Sequence, residues 1–258
     1  FPVSHDNVKK LLSSPNNILG LEYCKALSAS NSTITPVTIK RLGSGYHDTT
    51  IAEGFSSASA IRTALFSETA SVKGQIPPES YELLFKEQNP VFLCSNDFSL
   101  LLHYKLLSEK ETGFADYLDC NQDISDKICK LLPDYRDYDS FCDCLKSRDL
   151  TYTRISRILL HILLNIKTPE SYQIPIQDRR LRTPYARLLG FKKEAAPLLN
   201  AIKKESSIPL ISKLADAKKL LSDEDYSMLQ QDIYTSNLYE AVYASKRNTK
   251  PLNEYKQS

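Results

Sequence analysis

The chain has 258 residues, 41% of them hydrophobic and 25% charged, with a formal net charge of +2. That is enough for one large domain or two ordinary ones, with the composition of an ordinary globular protein. No run of 18 apolar residues occurs; the longest, Ile158 to Ile166, is interrupted by His161 and Asn165, so no segment is expected to span a membrane. The start carries neither a charged stretch nor an apolar core of the kind a signal peptide needs.

In chain order, residues from about 6 to 30 read as a helix. Ile18, Leu19, Leu21, Tyr23, Cys24 and Leu27 recur at near-helical spacing, with Pro15 and Asn16 where a turn and an amide cap belong. Ile34 to Leu42 alternates β-branched residues and predicts a strand. Gly43 to Gly54 reads as a loop, and "SSASAIRTALF" as a serine cap followed by a helix with Ala60, Ile61, Ala64 and Leu65 on one face. Helix, strand, loop and helix make a fragment of an α/β layer protein.

Beyond Lys73 the strand signal fades and helices are expected throughout. "PPESYELLFKEQ" places prolines at a helix start. "SNDFSLLLHYKLLSEKE" follows, with Ser95 or Asn96 as its cap. "TYTRISRILLHILLN" is the clearest helix, with Ile155, Ile158, Leu159, Ile162, Leu163 and Ile166 in one stripe. Two helices are expected within "PYARLLGFKKEAAPLLNAIKKE", broken near Gly190 and Pro197. A last helix is expected from Ser222, with acidic residues in its first turn. The expected fold class is α/β + α: an α/β portion over residues 1–72 and a larger all-helical domain over 73–258.

The small net charge conceals an asymmetry. Pro77 to Lys146 holds fourteen acidic and seven basic residues, a net of −7, whereas Ser147 to Lys204 holds twelve basic and four acidic, a net of +8. Seven of the eleven arginines lie between Arg148 and Arg187. Such an excess points to an anionic partner. Arg154, Arg157, Arg179, Arg180, Arg182 and Arg187 are the candidate RNA contacts, with Arg148, Lys192, Lys193, Lys203 and Lys204 beside them. Tyr152, Tyr172 and Tyr185 are interleaved and could stack on unpaired bases. A solvated charged face is the plain alternative for any one of these residues.

Three polar clusters stand near the front. Asn16 sits at a helix start, where it can cap the backbone or hydrogen-bond a nucleotide. Lys40 and Arg41 end the predicted strand, the side of an open sheet where ligands bind, and an arginine there can fork onto a phosphate. Ser56, Ser57, Ser59 and Arg62 crowd a second helix start, which makes either a plain cap or a phosphate cradle. His47 lies on the loop beside Arg41, while His161, inside the apolar run, reads as a satisfied core histidine. The six cysteines are scattered, with only Cys142 and Cys144 close. That spacing suits neither a zinc site nor a disulfide scaffold. They read as free thiols in a reducing cytoplasm, most of them buried, and no metal site is expected.

"SSASAIR" resembles the "ISSTxxR" element of the nucleotidylyl-transferase superfamily. Taken together, "SSPNNILGLEYCKAL", "ITPVTIKRLGSGYHD", "SSASAIRTALF", "TYTRISRILLHILL", "YARLLGF", "IPLISK" and "DIYTSNLY" resemble the bacterial tRNA(Met) cytidine acetate ligase family, in order and over nearly the whole chain. The resemblance implies a Rossmann-like nucleotide-binding portion and a tRNA-binding helical domain. It implies formation of acetyl-adenylate from ATP and acetate, with Mg2+, and acetylation of N4 of the wobble cytidine of elongator tRNA(Met). It also implies that Asn16 and Arg41 contact ATP, and that Ser59 and Arg62 form the phosphate-binding helix start. The superfamily's "HxGH"-type motif is not found in this sequence, so no catalytic residue is assigned. Together with a start at Phe1 and only 7 glycines, this leads to the expectation of a C-terminal portion of a longer protein. Two other readings are a tRNA-binding module without chemistry of its own and a small-molecule adenylyltransferase.

Overall fold

The computed structural model describes residues 8–9, 12–13, 15–39, 50–51, 54–67, 69–86, 90–168 and 183–252. By its internal packing the chain divides into two compact units, Phe1–Leu84 and Phe85–Ser258. The division falls at the end of a short helix.

In the first unit, helix α1 (Pro15–Ala29) begins on a proline, whose missing N–H costs nothing in the first turn. Nearly all of α1 is exposed, including Ile18, Leu19, Leu21 and Tyr23. Ser30 hydroxyl donates to the Ala26 carbonyl at 2.9 Å, and Asn31 turns the chain with φ 49°. The expected strand is not formed over its described part. Residues 34–39 run without a ladder partner, and Ile34, Val37 and Ile39 are 68%, 84% and 93% exposed. An alternating sequence makes a strand only when a neighbour takes its backbone hydrogen bonds, and none is present among the described residues. Helix α2 (Ala58–Ser67) is capped by buried Ser57, whose hydroxyl accepts from the Ala60 N–H at 3.0 Å. Ala60 and Ala64 bury the inner face of α2, and Val72 is buried in the turn that follows. The Gln75 side chain returns to accept from the Ser56 N–H at 3.0 Å. Helix α3 (Pro78–Leu84) again starts on a proline, with Glu79 in its first turn.

Among the described residues, the regular structure of the second unit is helical apart from one small sheet. Helices α4 (Ser99–Glu109), α5 (Gln122–Leu131), α6 (Tyr138–Leu145) and α7 (Tyr152–Leu163) surround its main core. Ile155, Ile158, Leu159 and Ile162 of α7 recur every three or four residues and are all buried, as the stripe predicts. They pack with Leu102, Leu106, Tyr117, Ile128, Tyr138 and Phe141. Full burial of each such side chain is worth about 1.5–3 kcal/mol. Thr151 caps α7 and Asn165 ends it in the left-handed region, φ 58°. Ile166, the last of the predicted stripe, lies just beyond the helix and is half-buried.

Ser95 and Asn96 do not begin the helix predicted at their position. They lie in a 3-10 turn, Ser95–Phe98, ahead of α4. Ser95 hydroxyl donates to Asp139 Oδ1 at 2.7 Å, and Asn96 Oδ1 accepts from the Asp139 N–H at 3.0 Å. Both therefore serve the first turn of α6, more than forty residues away.

The only strands among the described residues are β1 (Ala186–Arg187) and β2 (Leu210–Ile211), paired in parallel with Ala186 opposite Leu210 and Arg187 opposite Ile211. The helix expected at "PYARLLGF" is thus a strand, between Pro184 and Gly190. Pro197 starts helix α8 (Ala196–Glu205) rather than breaking one. Helices α9 (Ala217–Leu220) and α10 (Asp223–Arg247) complete the unit. Ser222 caps α10 beside Asp223, Glu224 and Asp225, as its sequence predicts. A second cluster, Ile211, Leu214, Ala217, Leu229 and Ile233, closes on Tyr185, Leu221 and Tyr226. The observed architecture, a small parallel sheet within a mainly helical protein, agrees with the α/β + α class.

Candidate nucleotide and RNA-binding surfaces

The "SSASAIR" element resolves into distinct tasks. Ser57 is the cap, so its hydroxyl is committed to the backbone. Ser59, in the first turn of α2, is half-buried, and its hydroxyl makes no hydrogen bond among the described residues. Arg62 lies three residues on, on the same helix face, exposed and without an ion-pair partner among the described residues. A hydroxyl and a guanidinium beside uncommitted backbone N–H groups suit an anion. Asn16, the second residue of α1, is exposed, and its side chain makes no hydrogen bond among the described residues. Lys40, Arg41 and His47 lie outside the described residues, as does most of the loop from Gly43 to Gly54.

On α7, Arg154 and Arg157 are both exposed and share a face. Their electrostatics differ. Arg157 Nε donates to Asp119 Oδ2 at 2.8 Å, so its charge is partly balanced within the protein, and Asp119 itself holds the left-handed conformation, φ 66°. Arg154 has no acidic partner among the described residues. Arg187 is half-buried on β1 and shares its sheet face with Tyr185 and Ile211. Arg179, Arg180, Arg182 and Tyr172 lie outside the described residues.

The two described tyrosines are engaged at their phenol ends. Tyr152 donates to Asp139 Oδ1 at 2.7 Å and packs on the main core; Tyr185 donates to Asp232 Oδ2 at 2.8 Å and packs on the second. Burial, then the neighbouring Asp232 carboxylate, pushes the Tyr185 phenol up to about 12. These rings brace the fold rather than stand ready as stacking platforms. His161 Nδ1 donates to the Leu118 carbonyl at 2.8 Å, and the ring is half-buried. It is held by the core, as its place in the apolar run suggests.

All six thiols are free, but burial is not their common state. Only Cys120 and Cys142 are buried, and desolvation pushes each up to about 12; Cys24, Cys94 and Cys144 are exposed. The expectation of mostly buried thiols fails: Cys24 lies on α1, which is exposed nearly throughout, Cys94 precedes the 3-10 turn, and Cys144 sits on the outer side of α6, whose inner side is filled by Tyr138, Phe141 and Leu145. No described helix is long and apolar enough to cross a membrane.

A larger basic surface extends past the window that the arginines mark. Lys192, Lys193, Lys203, Lys204, Lys213, Lys218 and Lys219 are all exposed, against only Glu194, Glu205 and Asp216 over the same stretch. None of the seven lysines makes an ion pair among the described residues. Carrying the charge count beyond Lys204 would have found the last three in the sequence.

The family profile described as HIGH Nucleotidyl Transferase matches residues 3–254. The chain belongs to that family. Within it, the chain is 35% identical over 256 residues to the tRNA(Met) cytidine acetate ligase of Clostridium acetobutylicum, covering 98% of this chain and 59% of that protein. It is 35% identical over 246 residues to the protein of the same name from Alkaliphilus metalliredigens, covering 93% and 56%. The HIGH nucleotidyl transferase chain described here thus spans somewhat more than half the length of these relatives. Its fold resembles that of apo Thermotoga maritima TmcAL, with a TM-score of 0.75 at 24% identity, covering 90% of this chain and 56% of that one. It also resembles the same protein bound with alpha-thio ATP, with a TM-score of 0.72 at 24% identity over 90% and 55%.

Proposed function

We propose that this chain is part of an ATP-dependent ligase that acts on tRNA(Met). The observation that carries the proposal is 35% identity, sustained over nearly the whole chain, to proteins named tRNA(Met) cytidine acetate ligase. A structural relative that binds alpha-thio ATP supports the nucleotide half. The basic surface of the second unit, in which Arg154 and the seven lysines between Lys192 and Lys219 make no ion pair among the described residues, supports the RNA half.

In this reaction an acetate oxygen attacks the α-phosphorus of ATP and the bond to pyrophosphate breaks, forming acetyl-adenylate. The N4 amine of the wobble cytidine then attacks the acetyl carbon, AMP leaves, and the amine gives up a proton. Ser59 and Arg62 hold phosphate oxygens and offset the charge that develops on the leaving pyrophosphate, with Arg41 adding a second guanidinium and Asn16 an amide donor. Mg2+ accompanies the ATP phosphates, and no residue of this chain is assigned to it. The acid-base and histidine chemistry is not assigned to this chain either. Arg154, Arg157, Arg179, Arg180, Arg182 and Arg187 approach tRNA phosphates. A cytoplasmic setting belongs to the same reading and is supported by six free cysteines.

The test is AMP formation by the whole protein. AMP should accumulate only with ATP, acetate and tRNA(Met) together; nucleotide transfer to a small phosphorylated acceptor, without any need for RNA, would reject the proposal. A second reading, an RNA-binding module, is favoured by the excess of lysine and arginine over residues 147–219, within the second unit. It predicts tRNA binding by this chain with no turnover.

A further inference from the structure

A cleft of about 410 Å3 lies beside β2, bounded by the C-terminal end of α8 and by the segment that leads into α9. Its size falls within the range of about 300–1,000 Å3 usual for small-molecule sites. The alternation of β2 makes it. Ile211 turns into the second core at 1% exposure, which sends Leu210 and Ser212 to the other side, where both line the cleft. Ile208 and Leu220 add apolar wall that remains 37% and 51% exposed.

The polar groups at the cleft have unused capacity. Lys203 Nζ donates to Ser212 Oγ at 3.0 Å, leaving two of its three N–H donors and the Ser212 hydroxyl proton available. The Ser207 hydroxyl and the Asp216 carboxylate make no hydrogen bond or ion pair through their side chains among the described residues. One cleft therefore presents a cation, hydroxyls, an anionic acceptor and an apolar wall, within the lysine-rich stretch 192–220.

A phosphate alone would use the lysine and the hydroxyls but would be repelled by Asp216 and gain nothing from the wall. A nucleotide uses all four: its phosphate meets Lys203, its ribose the serines, an N–H on its base edge Asp216, and its base face Leu220 and Ile208. In a duplex the base face and the pairing edge are covered, so the nucleotide must be unpaired. We propose that this cleft seats one unpaired nucleotide of the RNA that the chain binds. The proposal rests on the RNA-binding half of the function proposed above and adds a position on the protein that the arginines do not mark; Arg187, the nearest of them along the sheet, lies on the opposite face of β1 and β2.

The experiment is fluorescence titration of the whole chain with labelled tRNA(Met), across a salt series, with a blunt RNA duplex as the comparison ligand. Lys203→Gln should weaken tRNA binding about 3–10-fold and lower the salt slope by about one. Leu220→Ser should weaken it about threefold at every salt concentration with the slope unchanged, and should leave duplex binding as it was. Both side chains are exposed, so unchanged melting curves are expected for both variants. If Lys203→Gln acts but Leu220→Ser does not, the lysine is a plain phosphate contact and the nucleotide seat is overturned. If neither acts while Arg154→Ala weakens binding, the cleft is overturned and the RNA-binding function stands. No binding of tRNA(Met) by the parent chain at low salt overturns both.

Discussion

Helices α1 and α7 carry similar numbers of apolar residues and have opposite fates. In α7 the apolar residues fall on one stripe, and Ile155, Ile158, Leu159 and Ile162 are all within 1% of complete burial. In α1 they are spread around the helix, and Ile18, Leu19, Leu21 and Tyr23 are 44% to 62% exposed. Apolar content near helical spacing is enough to make a helix. Only a single coherent face gives it something to bury against one neighbour. The two units repeat the contrast: a large continuous core lies within Phe85–Ser258, whereas only Ser57, Ala60, Ala64 and Val72 are buried among the described residues of Phe1–Leu84.

The sharpest way to break this comparison is to cut matching side chains from both helices. Leu159→Ala should cost about 2–5 kcal/mol, since it opens a cavity in a closed core. Leu19→Ala, on α1, should stay within about 0.5 kcal/mol. Urea unfolding of the two variants measures both, and equal losses would show that α1 is as well packed as α7. Ser57→Ala should cost about 1 kcal/mol by removing the cap from Ala60 N–H, read as a fall in the melting temperature of the first unit's helical signal.

Smaller effects separate the two arginines of α7. Arg154→Ala should weaken tRNA(Met) binding about 3–10-fold and reduce the salt slope by about one, with stability unchanged. Arg157→Ala should also unpair Asp119, so it alone should lower the melting temperature measurably.

The smallest effect expected is a pH dependence. Burial raises the Asp97 carboxyl, but hydrogen bonds from Lys246 at 2.8 and 2.9 Å, together with the Cys94 N–H, outweigh it and leave the group below its ordinary range. A carboxyl depressed in the folded state contributes stability that is present above its unfolded value of about 3.9 and is lost as pH falls through the folded value. Lys246→Met should therefore lower stability at neutral pH slightly and flatten its decline below about pH 4. Parallel acid limbs for variant and parent would show that this pair contributes nothing.

Local features were legible in the sequence where one residue and its near neighbours decide the outcome. The serine and acidic turn at the start of α10, the proline starts of α1 and α3, and the α7 stripe are of this kind. So is the charge excess that points to an anionic partner, because charge in a stretch does not depend on how it folds. The weaker predictions were those that needed a distant partner. Ile34 to Ile39 alternates like a strand but has no described neighbour to pair with, while Ala186–Arg187 looks helical and is a strand because Leu210–Ile211 lies beside it.

By itself, then, the sequence determined the positions of the strongly patterned helices, the Ser57, Thr151 and Ser222 caps, the basic charge excess and membership in a nucleotidyl transferase family. All of these follow from local backbone preference, charge and residue order. Tertiary structure alone decided that Ser95 and Asn96 serve α6 and that Tyr152 and Tyr185 brace cores. It alone decided that Arg157 is paired while Arg154 is not, and that Lys203, Asp216 and Leu220 meet at one cleft. A side chain's hydrogen bonds and burial depend on which groups lie within a few ångströms, and for these residues most of the deciding groups come from elsewhere in the chain.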